Sequence, residues 1–372
     1  MTQTIFNREL VNHLEEPMFF GSSLNVARTE TVKHTSIANL TDTQIGFFWR
    51  PTEINLSKDI IDFQNMPEHE QHMFLANLKY QTLLDSIQGR APTLAFLPIC
   101  SDPALERWIE TWSFFETIHS ESYSHIVRTI LPTDMSETFD SIVQTEEIMA
   151  RADSIGKYYD NLIRYNNLRA VNSSEYNEYE HKKALYLCMH VVNALEAIRF
   201  YVSFAVTFSF GERKLLDGNC KIMTLIARDE ALHLKGTQMI INNWQNGVDG
   251  QEWVNISKEC EEEANNIFKL AAEQEKDWAT YLTKLGTVVG LNKQILDKYV
   301  EYITAHRMSI VGLKECPYPR TKNPIPWMNN WLKSDNKQVA PQETEISSYI
   351  TGGINTDINI NSLQNSLKEL VK

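Results

Sequence analysis

Two copies of one four-residue pattern, Glu116-Thr-Ile-His119 and Glu230-Ala-Leu-His233, lie inside long segments of helical periodicity. Residues three apart on a helix share a face, so each copy offers a carboxylate and an imidazole to one point in space. Each is therefore a metal-ligand pair. A chain carrying two such pairs is constrained to bring the two helices side by side, with their polar faces turned inward. If each of two further helices adds a carboxylate, the result is a centre for two metal ions within a helical bundle.

The pattern alone is cheap, because a third copy, Glu178/His181, lies in a polar stretch and reads as solvated surface. The other two copies are set among apolar residues: Trp108, Ile109, Trp112, Phe114, Phe115 and Ile118 around the first, Ile222, Leu225, Ile226 and Leu232 around the second. Buried charge is costly there unless it is paired or bound to a metal. For one copy alone, a surface glutamate beside a satisfied core histidine is an equally good reading. Recurrence in two apolar helices favours metal.

The rest of the chain fits one large all-helical domain. Only 14 glycines and 12 prolines occur in 372 residues, and helical periodicity runs almost throughout. A net charge of -13 argues against a nucleic-acid or anionic-membrane partner, since phosphate binding needs a basic face. No apolar run approaches the roughly 20 residues of a membrane span; the densest, Tyr201 to Phe210, reads as a buried core helix. The first residues lack the basic-then-apolar form of a signal peptide. Five scattered cysteines without a Cys-x-x-Cys make a disulfide framework or a zinc site improbable and suit a reducing cytoplasm.

Helix punctuation places the candidate ligands. Asp102-Pro103 is a cap followed by a proline at the first helical position, opening a helix that runs to Pro132, roughly 40 Å at 1.5 Å per residue. Pro67, Glu68 and Glu70 open another that Gly89 closes. Further helices are expected over about 181–211, 221–244, 252–285 and 291–313. Beyond Pro317, Pro319, Pro324 and Pro326 the composition turns to Asn, Gln, Ser, Thr and Gly, so 1–319 reads as the helical domain and 320–372 as a flexible tail. Near its end, Leu363, Leu367, Leu370 and Val371 fall on one helical face behind Ser362, a pattern suited to a docking peptide or to a frayed end.

The two missing carboxylates are expected from Asp85, in the helix closed by Gly89, and Glu196, the only acid in a long apolar run. Their alternative partners are Arg90 and Arg199. Four carboxylates would neutralise two divalent cations, and mixed carboxylate and imidazole suits iron or manganese better than zinc. Tyr123 lies four residues after His119 on the same face, with Cβ atoms about 5–6 Å apart. Phe200 and Phe204, four and eight after Glu196, and Ile226, four before Glu230, would form an apolar collar near that phenol. A phenol beside two metals in a dry pocket can be oxidised and its radical shielded; the plainer reading is one core tyrosine among 14.

Taken together, Asn77 to Arg90, Glu116 to His125, Asn193 to Phe204 and Ala227 to His233 resemble the small, radical-generating (beta) subunit of class Ia ribonucleotide reductase, of the type found in enteric bacteria and their phages. The likeness runs from Glu16-Pro-Met-Phe-Phe-Gly21 to Gln338–Glu343 and Tyr349. It implies a ferritin-like helical bundle with a di-iron carboxylate site, in which Asp85, Glu116, His119, Glu196, Glu230 and His233 hold two iron ions per chain, manganese being the other candidate. It implies that Tyr123 carries a stable radical formed with O2, and it assigns Trp49, Asp229 and Tyr349 to radical transfer. A homodimer, and a large subunit on which the last residues dock and where ribonucleotides are reduced, are implied as well. Phe115 is bulkier than the small residue expected before Glu116. A di-iron oxygenase would use the same ligands without needing Tyr123, and an iron-storage protein would be shorter; Tyr123 and the tyrosine-bearing tail speak against both.

Overall fold

The computed structural model describes residues 4–131, 133 and 135–333. An extended arm leads into α1 (Thr35–Gly46), followed by α2 (Ser57–Asn65), α3 (Glu68–Gln88), α4 (Ala91–Ala95), α5 (Pro103–Ile130), α6 (Met135–Asp140) and α7 (Glu146–Ala170). Then come α8 (Glu178–Ala194), a π-helical turn (Leu195–Arg199), α9 (Phe200–Gly211), α10 (Asp217–Gln245), α11 (Gln251–Glu259), α12 (Glu261–Leu282), α13 (Lys293–Ile310) and α14 (Met328–Leu332). No strand occurs among the described residues; Phe19–Cys100 and Val288–Leu291 are isolated bridges. The fold is all-α and ferritin-like.

Four elements enclose the centre: α3, α5, the continuous α8–π–α9 stretch, and α10. Helix α3 packs on α5 and α9, while α10 packs on α8, α9 and α5. Around this bundle, α1 lies along α5, α7 along α8, and α12 against α8 and α13. Local chemistry sets the ends of these helices. Asp102 accepts from the Leu105 amide at 2.8 Å and Pro103 follows it, so α5 starts where the sequence reading placed it. Helix α10 has no cap of its own, since Leu216 before it is left-handed (φ 55°). Asp59 of α2 substitutes, accepting from the Gly218 and Asn219 amides at 3.0 and 2.6 Å. At Gly236, a Cβ would stand 2.1 Å from the Trp108 ring, so glycine is what lets α10 approach α5 so closely.

Several expectations need correction. The segment expected as one helix over 252–285 breaks at Cys260 into α11 and α12. Apolar length was also misjudged: Glu178–Gly211 is long and apolar enough to cross a membrane by composition, yet its most apolar window is wholly buried in the bundle, which makes it a core helix. Phe114 is half exposed rather than part of the apolar setting of Glu116. The chain also stays packed past residue 319. Ile325 and Met328 are buried, and the Trp331 ring stacks on Phe208 at 4.8 Å and 7°. Tyr349 and the Leu363, Leu367, Leu370 stripe lie outside the described residues.

Candidate metal centre

Each of the four central elements delivers one part of the site. Asp85 comes from the last turn of α3, Glu116 and His119 from the middle of α5, Glu196 from the π-helical turn, and Glu230 and His233 from α10. All six are fully buried. They form two groups whose ligand atoms lie within 4.8 Å of one another: Asp85, Glu116, His119 and Glu230 in one, Glu116, Glu196, Glu230 and His233 in the other.

Glu116 and Glu230 belong to both groups, and their oxygens are divided between them. Glu116 places Oε2 3.2 Å from His119 Nδ1 and Oε1 3.1 Å from His233 Nδ1. Glu230 does the same, with Oε1 3.2 Å from His119 Nδ1 and Oε2 3.4 Å from His233 Nδ1. If two ions were held here, Glu116 and Glu230 would be within reach of both, and each subsite would add one imidazole and one further carboxylate.

The donor set fits a pair of metal ions. Both oxygens of Asp85, both of Glu230, Oε2 of Glu196 and Nδ1 of His233 find no hydrogen-bond partner in the protein, although buried polar atoms almost always have one. Burial, then the charges of Glu116 and Glu230, push the Asp85 carboxyl well above its ordinary range. Burial and the same two charges act likewise on Glu196, Glu230 ahead of Glu116. Burial also raises Glu116, but the His119 and His233 imidazoles, 3.2 and 3.1 Å from its oxygens, outweigh it and hold this group at about 2. So many carboxylates in a dry space call for compensating positive charge, which two divalent cations would supply.

The outward sides of the ligands are held by a second set of side chains. His119 Nε2 lies 3.3 Å from Asp229 Oδ2, and the Trp49 indole donates to that same oxygen at 2.8 Å. Gln44 Nε2 lies 2.5 Å from His233 Nε2, and Gln44 Oε1 has no partner among the described residues. With Nδ1 turned to the carboxylates, His233 Nε2 carries the ring proton and the carboxamide oxygen is the group able to accept it. The Trp112 indole donates to Glu116 Oε1 at 2.8 Å, and Gln88 Nε2 donates to Glu196 Oε1 at 2.9 Å. The sequence reading missed Trp112, Gln88 and Gln44. Spacing held a signal for the first two, four before Glu116 and three after Asp85; Gln44 had none.

Tyr123 is fully buried beside Asp85, and its hydroxyl forms no aligned hydrogen bond. Burial, then the Asp85 charge, pushes the phenol well up, so it is held protonated. Phe200, Phe204 and Ile226 are all fully buried, with Phe200 stacked on Phe204 at 5.9 Å. Phe115 is buried with its edge to Phe114. Arg199, the alternative partner of Glu196, is taken by Glu275 and Gln274 instead. His181, read as solvated surface, is in fact buried against Tyr165 and Phe20 and paired with Asn166 at 2.9 Å. It is a satisfied core histidine and belongs to neither ligand group.

Fold and site together define a helical di-metal carboxylate protein. Residues 28–324 match the family described as ribonucleotide reductase, small chain. The chain is 52% identical to ribonucleoside-diphosphate reductase 1 subunit beta of Salmonella typhimurium, over 98% of this chain and 99% of that one. It is 48% identical to the subunit beta of Enterobacteria phage T4, over 95% and 96% of the two chains. The ribonucleotide reductase R2 subunit from Clostridium botulinum superposes with a TM-score of 0.73 at 25% identity, over 90% of this chain and 99% of that one. A dimanganese(II)-NrdF from Streptococcus sanguinis shares the fold, with a TM-score of 0.65 at 19% identity over 84% and 99%. The chain belongs to the ribonucleotide reductase small-chain family. It is a small subunit of ribonucleoside-diphosphate reductase, an oxidoreductase component whose partner is a large subunit.

Proposed function

We propose that this subunit generates a stable radical on Tyr123 at a di-iron centre and passes it to the large subunit, which reduces ribonucleoside diphosphates to deoxyribonucleotides for DNA replication. Asp85, Glu116, His119, Glu196, Glu230 and His233 hold the two ions, with manganese as the alternative metal. When bound, the metal pair supplies, with O2, the oxidising equivalent that Tyr123 receives. The observation that carries this reading is a fully buried phenol beside Asp85, at the edge of two subsites joined by Glu116 and Glu230.

The chain's own residues suit each task. Tyr123 gives up one electron and its hydroxyl proton, and the apolar collar of Phe200, Phe204 and Ile226 keeps water and reductants from the oxidised phenol. Trp49, Asp229 and His119 make an unbroken hydrogen-bonded line away from the centre. Along it the oxidising equivalent leaves toward Tyr349 and then a cysteine of the large subunit, and Tyr123 recovers an electron and a proton. Residues 334–372, beyond the packed segment that carries Trp331, serve as the relay and docking tail. We place the protein in the cytoplasm as a homodimer within the larger complex.

Electron paramagnetic resonance after aerobic iron loading tests the reading. A tyrosyl signal is expected from the wild-type chain and none from Tyr123→Phe; an unchanged signal in the variant would assign the radical to another tyrosine. Truncation after Asn336 should leave the signal intact and abolish turnover with the large subunit. Tyr349→Phe should bind that subunit normally and fail to turn over. Full activity in that variant would overturn the relay.

A further inference from the structure

Glu196 is placed differently from the other ligands. It sits on a π-helical turn, where the Phe200 amide reaches back five residues to the Leu195 carbonyl, so the backbone is wider there than in the helices on either side. Arg199, the neighbour best placed by sequence to pair with it, is occupied by Glu275, Gln274 and Ser154. The carboxylate has one protein partner: Gln88 Nε2 donates to Oε1 at 2.9 Å, and Oε2 has none. Gln88 is itself secured at its other end, because the Tyr159 hydroxyl donates to its Oε1 at 2.7 Å. Tyr159 is buried on α7, with its ring 5.9 Å from Phe96. Both atoms of the Gln88 amide are thus used, and its orientation is determined. Asp85, the terminal carboxylate of the other subsite, has no such tether on either oxygen.

We infer that Tyr159 and Gln88 are positioning residues for the subsite of Glu196 and His233: they hold Glu196 Oε1 away from the metal so that Oε2 alone is offered. The proposal rests on the di-metal reading above and adds an asymmetry within it. One terminal carboxylate is latched by an amide that is itself held from a peripheral helix, and the other has only the Tyr123 hydroxyl beside it. An outer partner that orients a ligand in this way typically changes metal affinity by about 10-fold to 100-fold. Because the latch reaches only Glu196, its loss should weaken one subsite and spare the subsite of Asp85 and His119.

The test is anaerobic titration of the full-length metal-free chain with Mn2+, reading free ion by paramagnetic resonance, alongside thermal unfolding of the metal-free protein. Wild type should bind two ions per chain. Gln88→Met, similar in shape but without a donor, should keep one ion at wild-type affinity and bind the second about 10-fold to 100-fold more weakly. Tyr159→Phe keeps the ring packing and should weaken the second ion in the same direction by a smaller factor. Two ions at wild-type affinity in both variants would overturn the latch. So would an equal loss at both subsites together with a lower unfolding temperature, which marks a packing defect. Fewer than two ions in the wild type would count against the di-metal reading itself, and the two failures are thereby distinguished.

Discussion

The Trp49 indole nitrogen donates to Asp229 Oδ2 at 2.8 Å, although the two residues are 180 positions apart in the chain. The same oxygen faces His119 Nε2, so one buried carboxylate joins a tryptophan on the α1–α2 connection to a ligand on α5. Replacing Trp49 by Phe removes the indole N–H, and part of the ring with it, while keeping an aromatic side chain in the buried site. The variant should keep two metal ions per chain and lose turnover with the large subunit by at least about 100-fold. Metal analysis and a coupled activity assay check both halves, and near-normal turnover would remove Trp49 from the route.

Glu230 belongs to both ligand groups and Glu196 to one. Glu230→Ala should therefore depress binding of both ions, whereas Glu196→Ala should depress one. His119→Ala should likewise act on one subsite directly. Stoichiometry by elemental analysis after iron loading distinguishes these outcomes; wild-type content in Glu230→Ala would refute the bridging role.

Asp59 caps a helix to which it does not belong, through the Gly218 and Asn219 amides. Asp59→Ala should destabilise the protein by about 1–2 kcal/mol, the usual cost of losing an N-cap. Asp59→Asn keeps one acceptor oxygen for the two amides and turns a donor toward the other, so it should recover at most part of the loss. Chemical denaturation of the three proteins at pH 7 reads the difference.

His190 is buried against Tyr186 and Phe268, with its Nδ1 2.9 Å from the Tyr186 carbonyl. Burial, only partly opposed by that hydrogen bond, lowers the imidazole from 6.5 to about 4. The folded state thus binds the proton less readily than the unfolded state. The contribution of this group to stability is complete above about pH 6.5, declines as pH falls toward 4, and is constant below that. The full effect is on the order of 3 kcal/mol. In His190→Asn the fall in unfolding temperature between pH 7 and pH 5 should be smaller than in wild type; an equal fall would mean that another group sets this limb.

Much of the site was legible because carboxylates and imidazoles are expensive inside apolar helices, and a three-residue spacing leaves few arrangements that reconcile the two. The same logic fails where polar residues fill the buried stripe of a helix. Helix α7 buries Ile148, Arg151, Ile155, Tyr159, Leu162 and Asn166, and the Arg and Asn in that row hide its periodicity. In α1 the buried face includes Thr41 and Gln44. His181 was misread for a related reason: its neighbours in sequence are polar, while its neighbours in space, Tyr165 and Phe20, come from elsewhere. Hydrophobic pattern reports local faces. The amides that steady Glu196 and His233 are contacts across the fold, and no spacing rule encodes Gln44 meeting a ring 189 positions away.

The stack of Trp331 on Phe208 has a consequence for reach. Phe208 follows Phe204 and Phe200 in a column of rings that climbs α9 from the Glu196 turn, with successive centroids 5.9 and 6.0 Å apart. The segment that carries Trp331 is thus packed on the helix that follows the Glu196 turn, and Trp331 is fastened a second time through its indole to Glu212 at 2.8 Å. Tyr349 lies 16 residues beyond Lys333, a leash that covalent geometry limits to about 55 Å. Under the proposed relay, the group that reacts with Tyr349 must come within side-chain reach of that radius, measured from a fixed post on the bundle.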